Sequence, residues 1–167
     1  MIKFDITDSD GMARRGVLKT YLGEIETPAF MPVGTAGTVK GMKVEELEDA
    51  GFRMILANTY HLMLRPGSEI IKYLGGLNKF MSWNHSILSD SGGFQIMSLG
   101  DKVNIDNKGV TFSSHLDGSK HRMTAKDSIR IQDDLKSTIT MSFDECVPYP
   151  YSYEAVSYTH LRAHETL

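Results

Sequence analysis

Four short apolar runs, each ending in a polar or small-residue cluster, are spaced along this chain of 167 residues with helical patterns between them. That rhythm limits the fold more than any other feature. Consecutive strands joined by helices are parallel, because a parallel pair needs a long crossover and a helix supplies it. The first run, Ala29-Phe30-Met31-Pro32-Val33, ends in the loop Gly34-Thr35-Ala36-Gly37-Thr38. A helix over residues 44–50 follows, acidic on its exposed face and stopped by Gly51. The second run, 52–57, ends at Asn58-Thr59-Tyr60-His61, and a helix over 68–74 lies between Pro66-Gly67 and Gly75-Gly76. The third, 86–89, runs into Asp90-Ser91-Gly92-Gly93-Phe94-Gln95, and the fourth, 138–143, ends at Asp144-Glu145-Cys146.

The rhythm breaks once. Residues 103–105 and 110–112 flank Asp106-Asn107-Lys108-Gly109, a hairpin signal, and Asp117-Gly118 marks a second tight turn. Thr124 then caps a helix, with Asp127 three residues on and Ile131 and Leu135 on one face. The expected fold class is α/β: the first half of a (β/α)8 TIM-type barrel with an inserted antiparallel hairpin, Phe30, Ile55, Ile87 and Met141 facing inward. An open doubly wound sheet is the alternative. Both folds put the functional site at the carboxyl ends of the strands.

Composition narrows the class further. Apolar residues make up 41% and charged residues 23%, an ordinary globular balance of single-domain size. A net charge of −3 and a pI near 6.0 argue against a dedicated nucleic-acid-binding module, which carries a basic surplus. The single cysteine, Cys146, excludes an internal disulfide framework and points to a reducing cytoplasm. The sequence shows no signal-peptide pattern and no apolar stretch of membrane-spanning length.

The strongest chemical feature is Asp90-Ser91-Gly92-Gly93-Phe94-Gln95. A carboxylate leaves a buried strand, two glycines allow backbone to approach a ligand, and an aromatic ring follows that can stack on a planar group. Read in isolation, the same residues are equally a turn with a solvated aspartate and a core phenylalanine. Asp144 stands one unit later at an equivalent place, and paired carboxylates can divide proton transfer and hydrogen-bond acceptance between them. Capping of a following helix is the competing role for Asp144 or Glu145. Cys146 has no histidine–asparagine pairing to make it a nucleophile. The six histidines fall in no metal-binding frame, so no metal site is expected in this chain. The loop from Gly34 to Gly37 lacks the lysine of a phosphate loop and the third glycine of a dinucleotide fingerprint.

Five longer segments occur in order: Phe30 to Thr35, Asn58 to Gly67, Asp90 to Gln95, His115 to Ser119, and Phe143 to Pro150. Together they resemble the first half of the tRNA-guanine transglycosylases (queuine tRNA-ribosyltransferases) of bacterial type, over roughly residues 1–154. The resemblance implies a TIM-type barrel enzyme of queuosine biosynthesis, exchanging guanine at the anticodon wobble position of tRNA for a 7-deazaguanine through a covalent ribosyl–aspartate intermediate. By resemblance Asp90 is the catalytic proton acceptor, Ser91, Gly92 and Gly93 line the base pocket, and Phe94 stacks on the base. Asp144 accepts hydrogen bonds from the guanine-type N–H edge, and Cys146 lines the pocket near the deazaguanine substituent. The partners implied are the tRNA anticodon loop, guanine and 7-deazaguanine bases, and a second subunit in a full-length homodimer. A Zn2+ ion is implied for the full-length enzyme. Its ligands and the nucleophile belong to a C-terminal half. The family pattern stops near Ala155, so residues 1–155 are expected to form the barrel half and 156–167 a non-native tail. A truncated chain of this kind is expected to be inactive alone. Two other readings remain: a non-catalytic partner subunit of the same family, and a glycoside or nucleoside hydrolase using the two carboxylates.

Overall fold

In the computed structural model, which describes residues 2–100, 103–146, 150–154 and 156–157, a four-stranded parallel sheet forms the centre. Its strands are β4 (Val33–Gly34), β5 (Met54–Ala57), β6 (Ser86–Ser89) and β10 (Ile139–Thr140), in the order β10-β6-β5-β4. Helices α1 (Val44–Asp49), α2 (Thr59–Leu64), α3 (Ser68–Tyr73), α4 (Leu77–Met81), α5 (Gly93–Met97) and α6 (Ala125–Leu135) fill the connections. Two antiparallel three-stranded sheets complete the chain: β1 (Lys3–Asp10), β2 (Ala13–Thr20) and β3 (Gly23–Thr27), then β7 (Val103–Asp106), β8 (Gly109–Ser113) and β9 (Lys120–Met123). The expected hairpin is β7–β8, turning at Asp106–Gly109, and the turn at Asp117-Gly118 leads into β9. Most of the tail expected from 156, the 155 boundary and Val147–Tyr149 of the fifth segment lie outside the described residues.

Local chemistry accounts for the element ends. The first helix stops where Gly51, at φ +85°, takes the left-handed conformation; its N–H reaches Glu48 O and the Phe52 N–H reaches Leu47 O. Thr124 and Asp127 cap α6 reciprocally, the Asp127 N–H donating to Thr124 Oγ1 at 3.2 Å and the Thr124 N–H to Asp127 Oδ2 at 3.0 Å. Three strands are shorter than the apolar runs that announce them, β5 by two residues and β4 and β10 by more. Pro32 accepts from the Leu56 N–H but has no N–H to return, so the ladder of β4 begins at Val33. Beyond Thr140 the side chain of Gln132, not a strand, binds the backbone of Met141.

The inward-facing expectation needs correction. Ile55 and Ile87 are fully buried, but against Leu47, Leu62, Ile71, Leu77, Trp83 and Leu135, so they point to the helices. Phe30, 75% exposed, precedes the β4 ladder and lies against Phe52, whereas Met141, 46% exposed, is in step with Ile139. Period two puts the alternate residues on the other face. There the register aligns Val33, Leu56, Leu88 and Ile139 in one row across all four strands. Val33 is exposed and the other three are half-buried, so the row has no covering layer among the described residues. The N-terminal sheet sits at the opposite end of the strands from Asp90: Thr20 Oγ1 and Ser86 Oγ, at the start of β6, lie 2.9 Å apart.

An apolar row open to water, flanked by edges of β4 and β10 that pair with no further strand among the described residues, favours self-association. The 167-residue chain is therefore expected to elute from size exclusion as oligomers or aggregates and to bind a hydrophobic dye. A monodisperse monomer that unfolds cooperatively would contradict the exposed-row argument.

Candidate functional site

The site begins with the pairing of β5 and β6. Because Ala57 lies beside Ser89, the first residues past each strand meet: Asn58 and Thr59 on one side, Asp90 on the other. Asn58 Nδ2 donates to Asp90 Oδ2 at 2.6 Å, the Thr59 N–H to Oδ1 at 2.8 Å, and the Gly92 N–H to Oδ1 at 3.1 Å. Thr59 Oγ1 also donates to the Asp90 carbonyl, while the Asp90 N–H donates to Ala57 O at 3.0 Å. A carboxylate has only acceptor sites, and three donors hold this one in a single orientation.

The second carboxylate arrives from β10, the parallel neighbour of β6 on its other side. Asp144 lies four residues past Thr140, exposed, with Oδ1 accepting from Ser91 Oγ at 3.0 Å. Ser91 Oγ in turn accepts from the Gly93 N–H at 3.2 Å. Gly93 is where the two chain segments touch: a Cβ there would lie 2.7 Å from Asp144 O and 3.2 Å from its Oδ1. Gly92, at φ +85°, makes the turn that feeds α5. Cys146 Sγ reaches Asp144 Oδ2 at 3.6 Å. Burial, followed by the Asp144 charge, pushes the Cys146 thiol up to about 11, so it is protonated at neutral pH and unsuited to nucleophilic attack.

Asp90, Ser91, Gly92, Gly93, Asp144 and Cys146 are thus brought together as a continuous hydrogen-bonded ledge. Phe94 follows directly, 69% exposed at its rim. A cavity of about 150 Å3, bordered by Ile96, Met97, Val110 and Phe143, includes Gly93 and Asp144 but not Asp90 or Phe94. The helix-capping alternative for Asp144 or Glu145 finds no support among residues 141–146, which hold no helix.

Several neighbours escaped sequence reasoning. Asn58 and Thr59 stood out as a polar cluster at a strand end, and the signal that assigns them is their position one strand over from Asp90. Tyr60 Oη lies 2.8 Å from His115 Nδ1, and His61 meets the His115 ring edge-on at 5.5 Å between centroids. Burial, and then the neighbouring His115, hold His61 below the usual histidine range, with Asp90 opposing. Ser128 and Gln132, buried in α6, hold Ser91 and Met141. Among the described residues no three His, Cys, Asp or Glu side chains converge as a metal site, and no helix is long and apolar enough to cross a membrane.

Carboxylates at the carboxyl ends of adjacent parallel strands, one anchored by three donors and one laid over a glycine, define an α/β protein whose candidate site lies at its strand ends. The family model of queuine tRNA-ribosyltransferase matches residues 8–167, and the chain belongs to that family. It is similar to the queuine tRNA-ribosyltransferase of Caulobacter vibrioides, 60% identical over 148 residues, covering 88% of this chain and 40% of that protein. It is also similar to those of Fusobacterium nucleatum, 58% identical over 147 residues (88% and 39%), and Natranaerobius thermophilus, 57% over 150 (90% and 40%). The chain spans about 40% of the length of these curated relatives.

The raised Cys146 thiol gives a direct test of the ledge. Against the ordinary value of 9.0, a value of about 11 leaves roughly a hundredfold less thiolate at pH 7 to 8. Alkylation by iodoacetamide should be slow there and rise only as pH approaches the shifted value. Asp144→Asn, which removes a charge opposing the thiolate, should speed it. Reactivity like that of a free cysteine, insensitive to Asp144→Asn, would contradict the contact.

Proposed function

We propose that the protein to which these residues belong is a tRNA-guanine transglycosylase, exchanging guanine at the tRNA wobble position for a 7-deazaguanine, with Asp90 and Asp144 in different roles. The observation that carries this reading is the ledge itself: Asp90 fixed by Asn58, Thr59 and Gly92, and Asp144 placed beside it by Ser91 over Gly93. The names of the relatives supply the substrate class, a tRNA and a queuine-type base.

The chemistry divides as follows. The C1′–N9 bond to guanine breaks with its electron pair on the departing base, and a carboxylate oxygen from outside these residues captures the ribose carbon. The incoming base attacks that carbon through N9, returning the electron pair of the C1′–O bond to the carboxylate. Its N9 proton passes to Asp90, balancing the proton that the departing guanine takes up. Asp144 accepts from the N–H edge of the base, where an acceptor-only group discriminates against bases lacking those donors. Phe94, exposed at the rim, offers a face for stacking once the base is unstacked from the anticodon loop. Ser91, Gly92 and Gly93 line the floor, and Cys146 borders the substituent side. The zinc ion implied by the family finds no ligand set among the described residues.

The finer fold belongs to the same proposal. The row Val33, Leu56, Leu88 and Ile139 is suited to one layer of a (β/α)8 barrel interior, with β7–β9 as an insertion between α5 and α6. A cytoplasmic, homodimeric enzyme completes the reading. With a net charge of −3, contact with the tRNA phosphates falls to a local basic face of these residues or to other parts of the full-length protein.

In a full-length enzyme carrying these residues, Asp90→Asn should lower labelled-guanine incorporation into tRNA by about 10²-fold or more, because an amide cannot take the proton. Asp144→Ala should weaken guanine binding by about 1.5–3 kcal/mol. Normal exchange in both variants would reject the assignment. Binding of tRNA without any exchange by the unaltered enzyme would favour the partner-subunit reading, and release of guanine without incorporation would favour a hydrolase. The 167-residue chain alone, lacking the nucleophile, should incorporate none.

A further inference from the structure

We propose that Gln132 is a positioning residue that sets Asp144 for base recognition, acting from the helix layer through the strand exit it holds. The inference rests on the reading of Asp144 as the acceptor for the base. Gln132 is fully buried on the apolar face of α6, between Ile131 and Leu135 on one side and the sheet on the other. A buried primary amide is costly unless both ends are paired, and a leucine would fill an amphipathic helix face without that demand. Here every part of the amide is used. Oε1 accepts from Ser89 Oγ at 2.9 Å and from the Met141 N–H at 2.8 Å, while Nε2 donates to Met141 O at 2.9 Å and Ser128 Oγ at 3.1 Å.

Two of those bonds make the side chain act as a strand. The ladder between β10 and β6 ends at Thr140 beside Ser89. The next partner in register would be Asp90, but its N–H is taken by Ala57 O and its carbonyl accepts from Thr59. Gln132 therefore binds both backbone groups of Met141 and fixes the direction in which the chain leaves β10. Three residues later Asp144 reaches the Gly93 backbone. The second arm runs through Ser128, whose Oγ donates to Ser91 O at 2.7 Å. Ser91 Oγ then donates to Asp144. Both partners of the Ser91–Asp144 bond are thus referenced to one buried amide. A role confined to stability would need the first arm only.

The test uses the full-length enzyme, with guanine and tRNA varied separately. Gln132→Glu keeps the volume and an acceptor but removes the donors to Ser128 and Met141 O. It should raise the guanine KM about tenfold, the effect of losing roughly one well-placed hydrogen bond, and leave the tRNA KM unchanged. Combined with Asp144→Ala, it should add little to the loss from Asp144→Ala alone, because it acts through that carboxylate. Ser68→Ala, which removes a bond to Asp134 at the α3–α6 contact, should lower the melting temperature without moving the guanine KM. Ser128→Ala cuts only the Ser91 arm and keeps the test decisive if Gln132→Glu does not fold; its guanine KM should also rise. An unchanged guanine KM in the folded variants, an equal rise in both KM values, or full additivity with Asp144→Ala would overturn the proposal. If Asp144→Ala itself leaves the guanine KM unchanged, the acceptor reading falls and this inference with it. If Asp144→Ala raises it and the Gln132 and Ser128 variants do not, this inference alone falls.

Discussion

Parallel pairing of Met54–Ala57 with Ser86–Ser89 is the constraint on which the site depends. It brings the carboxyl ends of two strands to the same level, so groups 31 and 32 residues apart in sequence become hydrogen-bond partners of one carboxylate. A slip of one residue would turn Ile55 and Ile87 out of the helix core and separate Asn58 from Asp90. The core cluster of Leu47, Leu62, Leu77, Trp83 and Leu135 resists that slip, since both isoleucines are fully buried in it. Apolar packing on one face of the sheet thereby fixes polar geometry at its end.

The buried polar groups behind the site follow a related logic. Ser89, Ser128 and Gln132 are all buried, and each is hydrogen-bonded within the sheet–α6 interface. Asp134, one turn along from Arg130, is also buried, where Lys72 Nζ meets it at 2.8 Å and Ser68 Oγ at 3.2 Å. Helix α6 therefore presents a polar seam to the sheet and to α3 within an otherwise amphipathic helix. Such a seam specifies one docking arrangement, because any shift would leave desolvated groups unpaired.

Much of this was legible in the sequence, for identifiable reasons. The runs at 52–57 and 86–89 stood out because strands with one face against helices are apolar and turn polar where they end. Asp106-Asn107-Lys108-Gly109 and the Thr124 cap were readable as local chemistry, each made within a few residues. The N-terminal sheet was not. Residues 3–10 are exposed on nearly every position, so the alternation that marks a half-buried strand is missing. Ile55 and Ile87 were assigned to the wrong face because apolar character says that a residue belongs in a core without saying which one. Gln132 was invisible for the opposite reason: a glutamine at that point in a helix reads as solvent-facing, and its role depends on Met141 arriving without a strand partner. The long motifs, taken together, carried the family assignment where single residues left it open.

Gly93 has a consequence for how this family can diversify. With Asp144 backbone 2.7 Å from where a Cβ would stand, position 93 admits no side chain unless the carboxylate segment retreats. The contact between the two chain segments is therefore closed to experiment by substitution. On the proposed function, the neighbouring position with room to vary is Cys146, whose side chain is only half-buried. A lineage that varies this end of the sheet would keep the glycine and change the side chains around it.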